Sequence, residues 1–184
     1  MERVEYIDIT PHRSIVNKIS KTGYSIQEAL AELIDNAIDA RIEEQKLEVH
    51  LTILEDQIEI EDNGTGMSKN VAQAAIRLGF SSKKEKLGEF GLGLKTATSF
   101  LGEKFWLSTK EKESNEEYNI EYDEKSWIEN GSWTEFPFKV IENSSDKHGT
   151  KIIVKDLKIT ITQKLIEEVK KELEIRFAPF IRKW

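Results

Sequence analysis

The chain has 184 residues, of which 38% are hydrophobic and 33% charged, with a net charge of −7 and no cysteine. This length suits one globular domain over residues 1–184, and the lack of a signal peptide or of an apolar run that could span a bilayer predicts no membrane partner. The absence of cysteine excludes disulfides and thiolate metal sites and is typical of a cytoplasmic protein, and the acidic charge argues against a general nucleic-acid-binding surface.

Two short elements are predicted at the start of the chain. Val4–Ile9 alternates between polar and apolar residues and is typical of a strand, which Pro11 closes. Arg13–Ser20 has the pattern of a short helix that ends near Gly23. We therefore expect residues 1–22 to form an N-terminal arm of one strand and one helix.

A long amphipathic helix is predicted from Ser25 to about Glu44. Ser25 and Glu28 have the spacing of a capping box, which marks the start of a helix. At about 100° per residue, one side of the helix is apolar: Ile26, Ala29, Leu30, Leu33, Ile34, Ala37 and Ile38. The other side carries Glu28, Glu32, Asp35, Asn36 and Asp39, and no lysine or arginine occurs between Ser25 and Ala40. We expect the cation that balances these acids to come from elsewhere.

Two polar residues of this helix, Glu32 and Asn36, lie one turn apart and point the same way. A carboxylate in this position can orient a water and accept its proton, and an amide oxygen can bind a hard cation such as Mg²⁺. An ordinary acidic surface face is the alternative that the helix alone leaves open.

A hairpin and a glycine turn follow the helix. Leu47–Leu54 and Gln57–Glu61 alternate strongly on either side of Glu55-Asp56, which predicts two paired strands. The second strand runs into Asp62-Asn63-Gly64-Thr65-Gly66-Met67. Two glycines here let a ligand approach the backbone closely and place Asp62 at the strand end. A simple turn is the alternative.

A glycine-rich helix start is the next feature. An amphipathic helix over Asn70–Leu78 is followed by the lysine-rich segment Gly79–Gly88, which has the composition of a mobile loop. Three glycines between residues 88 and 93 then open a helix that carries Lys95 in its first turns. Its backbone N–H groups, dipole and lysine favour a phosphate chain, although the pattern is neither a P-loop nor a Rossmann fingerprint. Close helix packing is the alternative.

The rest of the chain is predicted to form strands and a closing helix. The strands are Phe105–Thr109, Tyr118–Tyr122, Thr134–Ile141 and Lys151–Val154, and the helix is Thr160–Phe177. The tryptophans in this part are expected to pack the sheet: Trp106, Trp127 and Trp133. The histidines lie far apart without ligand spacing, so no histidine metal site is expected: His12, His50 and His148.

Four motifs, read in order, resemble those of the GHKL ATPases, which include gyrase-type topoisomerases, ninety-kilodalton heat-shock chaperones, histidine kinases and MutL proteins. They are Glu32-x-x-x-Asn36-Ala37-x-Asp39-Ala40, Asp62-x-Gly64-x-Gly66-Met67, Gly88-x-x-Gly91-x-Gly93 and Gly149-Thr150. The resemblance spans about residues 25–155. Ala31–Ala37, Leu78–Lys83 and Gly91–Lys95 are most similar to the MORC, chaperone and MutL branch, since the histidine-kinase branch usually lacks a glutamate at the position of Glu32.

The resemblance implies a fold and a set of residue roles. The fold is the Bergerat fold, an α/β (α+β) two-layer sandwich with a mixed β-sheet covered on one face by helices and an ATP lid over residues 79–93. Glu32 would be the general base and Asn36 the Mg²⁺ ligand. Asp62 would accept a hydrogen bond from the adenine amino group, helped by Thr150.

Further nucleotide contacts are implied in the same way. Gly64 and Gly66 would let the backbone approach the base, with Met67 beside it. The N–H groups of Gly91 and Gly93 and the ammonium of Lys95 would lie at the phosphates. The remaining contact residues implied are Asp39, Ala40, Ser82, Lys83, Gly88, Leu92 and Leu94. A carboxylate that reads an amino group predicts adenine over guanine.

The implied function is Mg²⁺-dependent ATP binding and slow ATP hydrolysis by the N-terminal ATPase module of a larger protein. ATP would close the lid and drive homodimerisation, with residues 1–22 as the dimerisation segment. Hydrolysis by this chain alone is expected to be weak, because the branch usually adds a lysine from a following domain. The alternatives are a non-hydrolysing ATP-binding switch and, less favoured, a phosphotransferring kinase domain. Chaperone and DNA-maintenance roles both stay open, with nucleic acid bound only through other domains.

Overall fold

The computed structural model describes residues 7–21, 24–77 and 93–181. The helices are α1 (Ile15–Ser20), α2 (Ile26–Asp39), α3 (Lys69–Ala75), α4 (Gly93–Leu101), α5 (Glu124–Asn130) and α6 (Gln163–Ile181). The strands are β1 (Val49–Ile53), β2 (Gln57–Asp62), β3 (Gly102–Lys110), β4 (Glu116–Asp123), β5 (Lys139–Glu142) and β6 (Gly149–Leu157). None of the described helices is long and apolar enough to cross a membrane.

The strands form one sheet in the order β1-β2-β6-β3-β4-β5, and each neighbouring pair in it is antiparallel. The predicted hairpin around Glu55-Asp56 is confirmed as the β1–β2 pair. The two-layer α/β fold is confirmed as well. The expected mixed sheet is corrected to an antiparallel one for the described strands. The short β1–β2 and β3–β4 connections reverse the chain between neighbouring strands and leave no room for the crossover that a parallel pair requires, and β6 enters between β2 and β3 antiparallel to both.

The core lies between the sheet and helices α2 and α4. Alternate residues of each strand face these helices, so residues directly opposite one another on β2, β6 and β3 form rows across the sheet. Two rows are apolar and buried: Ile58, Val154 and Phe105 in one, and Ile60, Ile152 and Leu107 in the other. They pack in one cluster with Leu30, Leu33, Ala97 and Leu101 of the helices. Because each such side chain stabilises the fold by about 1.5–3 kcal/mol, these rows hold α2 and α4 at fixed positions on the sheet.

Helix α2 has the predicted start and an earlier end. The capping box is confirmed, since Ser25 Oγ accepts from the Glu28 N–H and the Glu28 carboxylate accepts from the Ser25 N–H. The helix ends at Asp39 instead of Glu44, because the Ala40 carbonyl accepts a 2.7 Å hydrogen bond from the Thr65 N–H. The chain therefore leaves the helix where it meets the glycine turn.

The acidic side of α2 receives a cation from the end of the described chain. Arg176 of α6 lies 2.7 Å from the Asp35 carboxylate. The expectation that a cation comes from outside the helix is therefore confirmed for Asp35. Both side chains are partly exposed, so this pair orients α6 on α2 more than it stabilises the fold.

The predicted N-terminal strand is wrong in the part that the structure describes. Residues 4–6 lie outside the described ranges, and residues 7–10 are not in a strand. Ile7 and Ile9 are 81% and 83% exposed. The alternation reflected two isolated apolar residues without a sheet face to bury them. The short helix predicted after them is confirmed as α1.

Helix α5 lies between two predicted strands, in a stretch for which no element was predicted. Asp123 Oδ1 accepts a hydrogen bond from the Ser126 N–H and caps α5, a start signal that the sequence analysis missed. The strand predicted over Thr134–Ile141 is reduced to β5, because Pro137 cannot donate to a sheet and holds the residues before it out of the ladder. Trp127 of α5 contacts Tyr122 on β4, as expected for an aromatic that packs the sheet.

Candidate functional site

A third row of side chains continues the two apolar rows toward one end of the sheet, and it is polar. Asp62 on β2 lies directly opposite Thr150 on β6, and Thr150 lies directly opposite Thr109 on β3. Because each lies two positions from a buried apolar residue of its own strand, all three face the helix layer. Asp62 is partly buried, whereas both threonines are buried. Three polar groups at the edge of an apolar core are a strong indication of a binding site.

The Asp62 carboxyl is held by backbone donors on one oxygen. Oδ1 accepts from the N–H of Gly64 at 2.8 Å and from the N–H of Thr150 at 3.3 Å. Burial raises the pKa of Asp62 to about 6, although both backbone donors act in the opposite direction. A carboxylate whose charge is disfavoured by burial gains from a further donor. Oδ2 is the atom that is suited to meet a ligand N–H.

The glycine turn after β2 is packed tightly against its neighbours. A Cβ at Gly64 would lie 2.6 Å from the Ala40 carbonyl oxygen, and one at Gly66 would overlap the Lys110 carbonyl oxygen. Gly66 also has φ +67°, a left-handed backbone conformation that a residue with a side chain adopts only with strain. His148 Nδ1 donates to the Gly64 carbonyl at 2.6 Å. The turn is thus fixed from three sides, and its glycines are required by space.

The opposite end of the candidate site is formed by Glu32 and the start of α4. A Cβ at Gly93 would overlap Glu32 Oε1, so the carboxylate lies directly against the first residue of α4. Asn36 Nδ2 donates to the backbone carbonyl of Glu32 at 2.8 Å, so this hydrogen bond uses the amide nitrogen of Asn36 and not its oxygen. A carboxylate and an amide oxygen therefore lie one helical turn apart beside a helix N-terminus.

One helix connects the two ends. Glu32 and Ala40 are eight residues apart on α2 and at its C-cap, which corresponds to about 12 Å at 1.5 Å per residue. Ala40 touches the glycine turn beside Asp62, and Glu32 touches α4. The two ends of the candidate site are therefore held at a fixed spacing by one helix.

The other residues that were predicted to contact the nucleotide lie at several places in the fold or outside the described residues. Lys95 is 6% exposed, its Nζ donates to the Arg77 carbonyl, and burial lowers the pKa of Lys95 to about 8. Leu94 packs at the border of the core, Asp39 is exposed, and the Met67 N–H bonds to Thr109 Oγ1 at 2.9 Å. Ser82, Lys83, Gly88, Gly91 and Leu92 lie outside the described residues. The roles of all these residues stay predictions.

Thr109 is a candidate site residue that was not predicted from the sequence. Phe105, Leu107 and Thr109 occupy the same face of β3, so Thr109 is the polar residue that ends an apolar alternation. The same signal marks Asp62 after Ile58 and Ile60. A polar residue in phase with a buried face, at the end of the strand, would have indicated Thr109 without the structure.

The residues present fit a magnesium ion that is shared with a phosphate chain. Within the described ranges no group of three or more histidine, cysteine, aspartate or glutamate residues could hold a metal. The Asn36 amide oxygen is a hard donor, and Mg²⁺ commonly uses one or two protein ligands together with phosphate oxygens and waters. The donor set is therefore too small for a metal site of its own and adequate for a metal that arrives with phosphates.

Comparison with known proteins identifies the family of the chain. The family model described as histidine kinase-, DNA gyrase B-, and HSP90-like ATPase matches residues 24–150, which include α2, the glycine turn and Thr150. ATPase morc-1 of Caenorhabditis elegans is 39% identical over 87 residues, which cover 45% of this chain and 10% of that protein. ATPase MORC2 of Homo sapiens is 33% identical over 95 residues, covering 47% and 9%.

Protein MICRORCHIDIA 1 of Arabidopsis thaliana is 39% identical over 82 residues, which cover 40% of this chain and 13% of that protein. The chain thus matches only about a tenth of the length of these relatives. The family match covers more than half of the chain and contains both ends of the candidate site. The chain therefore belongs to the histidine kinase-, DNA gyrase B- and HSP90-like ATPase family, as an ATP-binding domain of the branch that contains the MORC ATPases.

Proposed function

We propose that this chain is a Mg²⁺-dependent module that binds ATP along α2 and hydrolyses it slowly. ATP closes a lid formed by residues 79–93 and drives dimerisation of a larger protein. One observation carries the proposal: the two ends of the candidate site lie at two positions along α2. The polar row that contains Asp62 lies next to Ala40, and the Glu32 carboxylate lies against Gly93. A base site and a phosphate site separated by a rigid helix suit a nucleotide.

At the base end, Asp62 accepts a hydrogen bond from the adenine amino group. Its Oδ1 already accepts two backbone N–H groups, so Oδ2 serves the ligand. A 6-oxo purine would place an acceptor against this acceptor and leave both unpaired, at a cost of about 1–3 kcal/mol. The site therefore selects adenine over guanine.

At the phosphate end, Glu32 accepts the proton of the attacking water. The carboxylate is only partly buried and lies at the N-terminus of α4, where the helix dipole also favours the phosphate charge. Asn36 would hold Mg²⁺ through its amide oxygen, and the ion would supply charge neutralisation at the phosphates. The nucleophile is water, so no covalent intermediate with a side chain is required.

Calorimetric titration with Mg-ATP and Mg-GTP tests the proposal. We expect ATP to bind and GTP to bind about 10- to 100-fold more weakly, as the cost of one unpaired buried acceptor implies. The same titrations with Asp62→Asn are expected to show loss of ATP binding. The matched control is Glu61→Gln, which removes an exposed carboxylate next to Asp62 in the sequence but on the opposite face of β2. Equal affinity for both nucleotides, or the same loss in the control, would contradict the assigned base site.

Adenosine affinity is expected to fall as pH is lowered through about 6. Burial raises the pKa of Asp62 to about 6, so the carboxyl is mostly charged above that pH and mostly neutral below it. The neutral form loses the charge that strengthens the hydrogen bond from the amino group. Adenosine has no phosphate whose titration would interfere, and its dissociation constant can be followed by NMR from about pH 5 to 8. A constant affinity over this range would exclude Asp62 as the acceptor.

A further inference from the structure

The hydroxyl of Thr109 joins three segments around the base site. Thr109 Oγ1 lies 2.9 Å from the Met67 N–H nitrogen, 3.1 Å from the Gly149 carbonyl oxygen and 3.0 Å from Thr150 Oγ1. Thr109 is 1% exposed, so water does not compete for these contacts. The glycine turn, the start of β6 and the end of β3 therefore meet at one oxygen atom.

Counting donors and acceptors fixes the direction of each of these bonds. A hydroxyl has one hydrogen to donate and two lone pairs to accept. The Met67 N–H can only donate, so it uses one lone pair, and the Gly149 carbonyl can only accept, so it takes the hydrogen. The remaining lone pair of Thr109 accepts the hydroxyl hydrogen of Thr150.

These bond directions determine which groups the Thr150 hydroxyl can offer to a ligand. Its hydroxyl hydrogen is committed to Thr109, so toward a ligand Thr150 Oγ1 presents lone pairs only. Thr150 stands directly opposite Asp62 on the same face, and the carboxylate is also an acceptor. Two neighbouring acceptors match the two N–H donors of an exocyclic amino group.

We infer that Thr109 is a specificity-determining positioning residue, which orients the Thr150 hydroxyl as an acceptor and so makes the base site select 6-amino over 6-oxo purines. This inference rests on the proposed function and names how its base site discriminates. Thr109 acts through Thr150 without contacting the nucleotide. Removing its hydroxyl releases the hydrogen of Thr150, which can then donate to a 6-oxo group.

The test compares Thr109→Val, which keeps the shape and removes the hydroxyl, with Thr109→Ser, which keeps the hydroxyl. Affinities for Mg-ATP and Mg-ITP are measured by calorimetry, since these nucleotides differ only in the 6-position of the base and the adjoining N1. We expect the ATP-to-ITP affinity ratio to fall by about tenfold in Thr109→Val, the value of about one hydrogen bond. Thr109→Ser is expected to keep the wild-type ratio.

A purely structural role would give a different result. Loss of the Met67 and Gly149 contacts in Thr109→Val would weaken both nucleotides by the same factor and leave the ratio unchanged, which would overturn the inference. A reduced ratio in Thr109→Ser would overturn it too, since the hydroxyl is retained. If wild type prefers ATP while the Thr109→Val ratio is unchanged, only the role of Thr109 fails. If wild type binds neither nucleotide, the proposed function fails and the inference falls with it.

Discussion

Replacing Glu32 by glutamine is expected to reduce ATP turnover by about 10²- to 10⁴-fold and to leave ATP affinity nearly unchanged. Glutamine has the same shape and keeps the contact with Gly93, but it cannot accept a proton from water. Single-turnover hydrolysis of labelled ATP with protein in excess detects slow rates, and calorimetry measures affinity on the same samples.

The matched control for this variant is Asp35→Asn. Asp35 is on the same helix, but its carboxylate is paired with Arg176 at 2.7 Å. Losing this partly exposed pair costs at most about 1 kcal/mol of stability and is expected to leave turnover unchanged. Turnover retained in the Glu32 variant would show that another group activates water. If wild type binds ATP without turnover, the non-hydrolysing switch is the better description.

Replacing Asp62 by asparagine is expected to abolish detectable ATP binding and, at the same time, to stabilise the fold. The asparagine Oδ1 can still accept from the N–H groups of Gly64 and Thr150, so the turn is kept. Its amide N–H₂ group replaces the ligand-facing oxygen and opposes the adenine amino group. We expect affinity to fall by at least about 100-fold, as for a donor facing a donor in a buried site.

The gain in stability follows from the sign of the pKa shift. Burial raises the pKa of Asp62 from 3.8 to about 6, so charging this carboxyl costs more in the folded than in the unfolded state. The cost is absent below about pH 4, grows between pH 4 and 6, and reaches about 3 kcal/mol at higher pH. The free energy of unfolding of the variant should therefore exceed that of wild type at pH 8 and approach it near pH 4.

Urea unfolding of both proteins at several pH values measures this difference. A stability difference that does not change with pH would mean that the folded protein leaves Asp62 at its ordinary pKa. Circular dichroism of the variant at pH 8 separates loss of binding from loss of folding. Retained ATP binding by a folded Asp62→Asn protein would exclude the carboxylate as the base acceptor.

Local signals in the sequence were sufficient for several parts of this structure. The capping box at Ser25 and the alternation around Glu55-Asp56 depend on neighbours within a few residues, and both are confirmed. Asp62 was identified from the glycines that follow it, and the structure places it in one polar row with Thr150 and Thr109. In these cases the residues that decide the structure are close together in the chain.

Other parts depend on distant contacts and were not predictable in this way. The end of α2 is set by a hydrogen bond from Thr65 to Ala40, while the apolar pattern continues past it. Thr109 gains its position in the site from strand pairing with β6, which joins residues about 40 positions apart. The apolar alternation of Ile7 and Ile9 has no sheet face to cover, so local pattern alone was misleading there.

The connection of both ends of the site by α2 also limits how this chain can vary in length. A residue inserted between Glu32 and Ala40 would turn one end by about 100° relative to the other and move it by about 1.5 Å. Side chains of α2 that belong neither to the core nor to the site can be exchanged without this effect, as long as the number of residues is kept. We therefore expect insertions and deletions in related chains to fall in loops and not between Glu32 and Ala40. The number of residues in this interval is constrained more strongly than the identity of those side chains that belong neither to the core nor to the site.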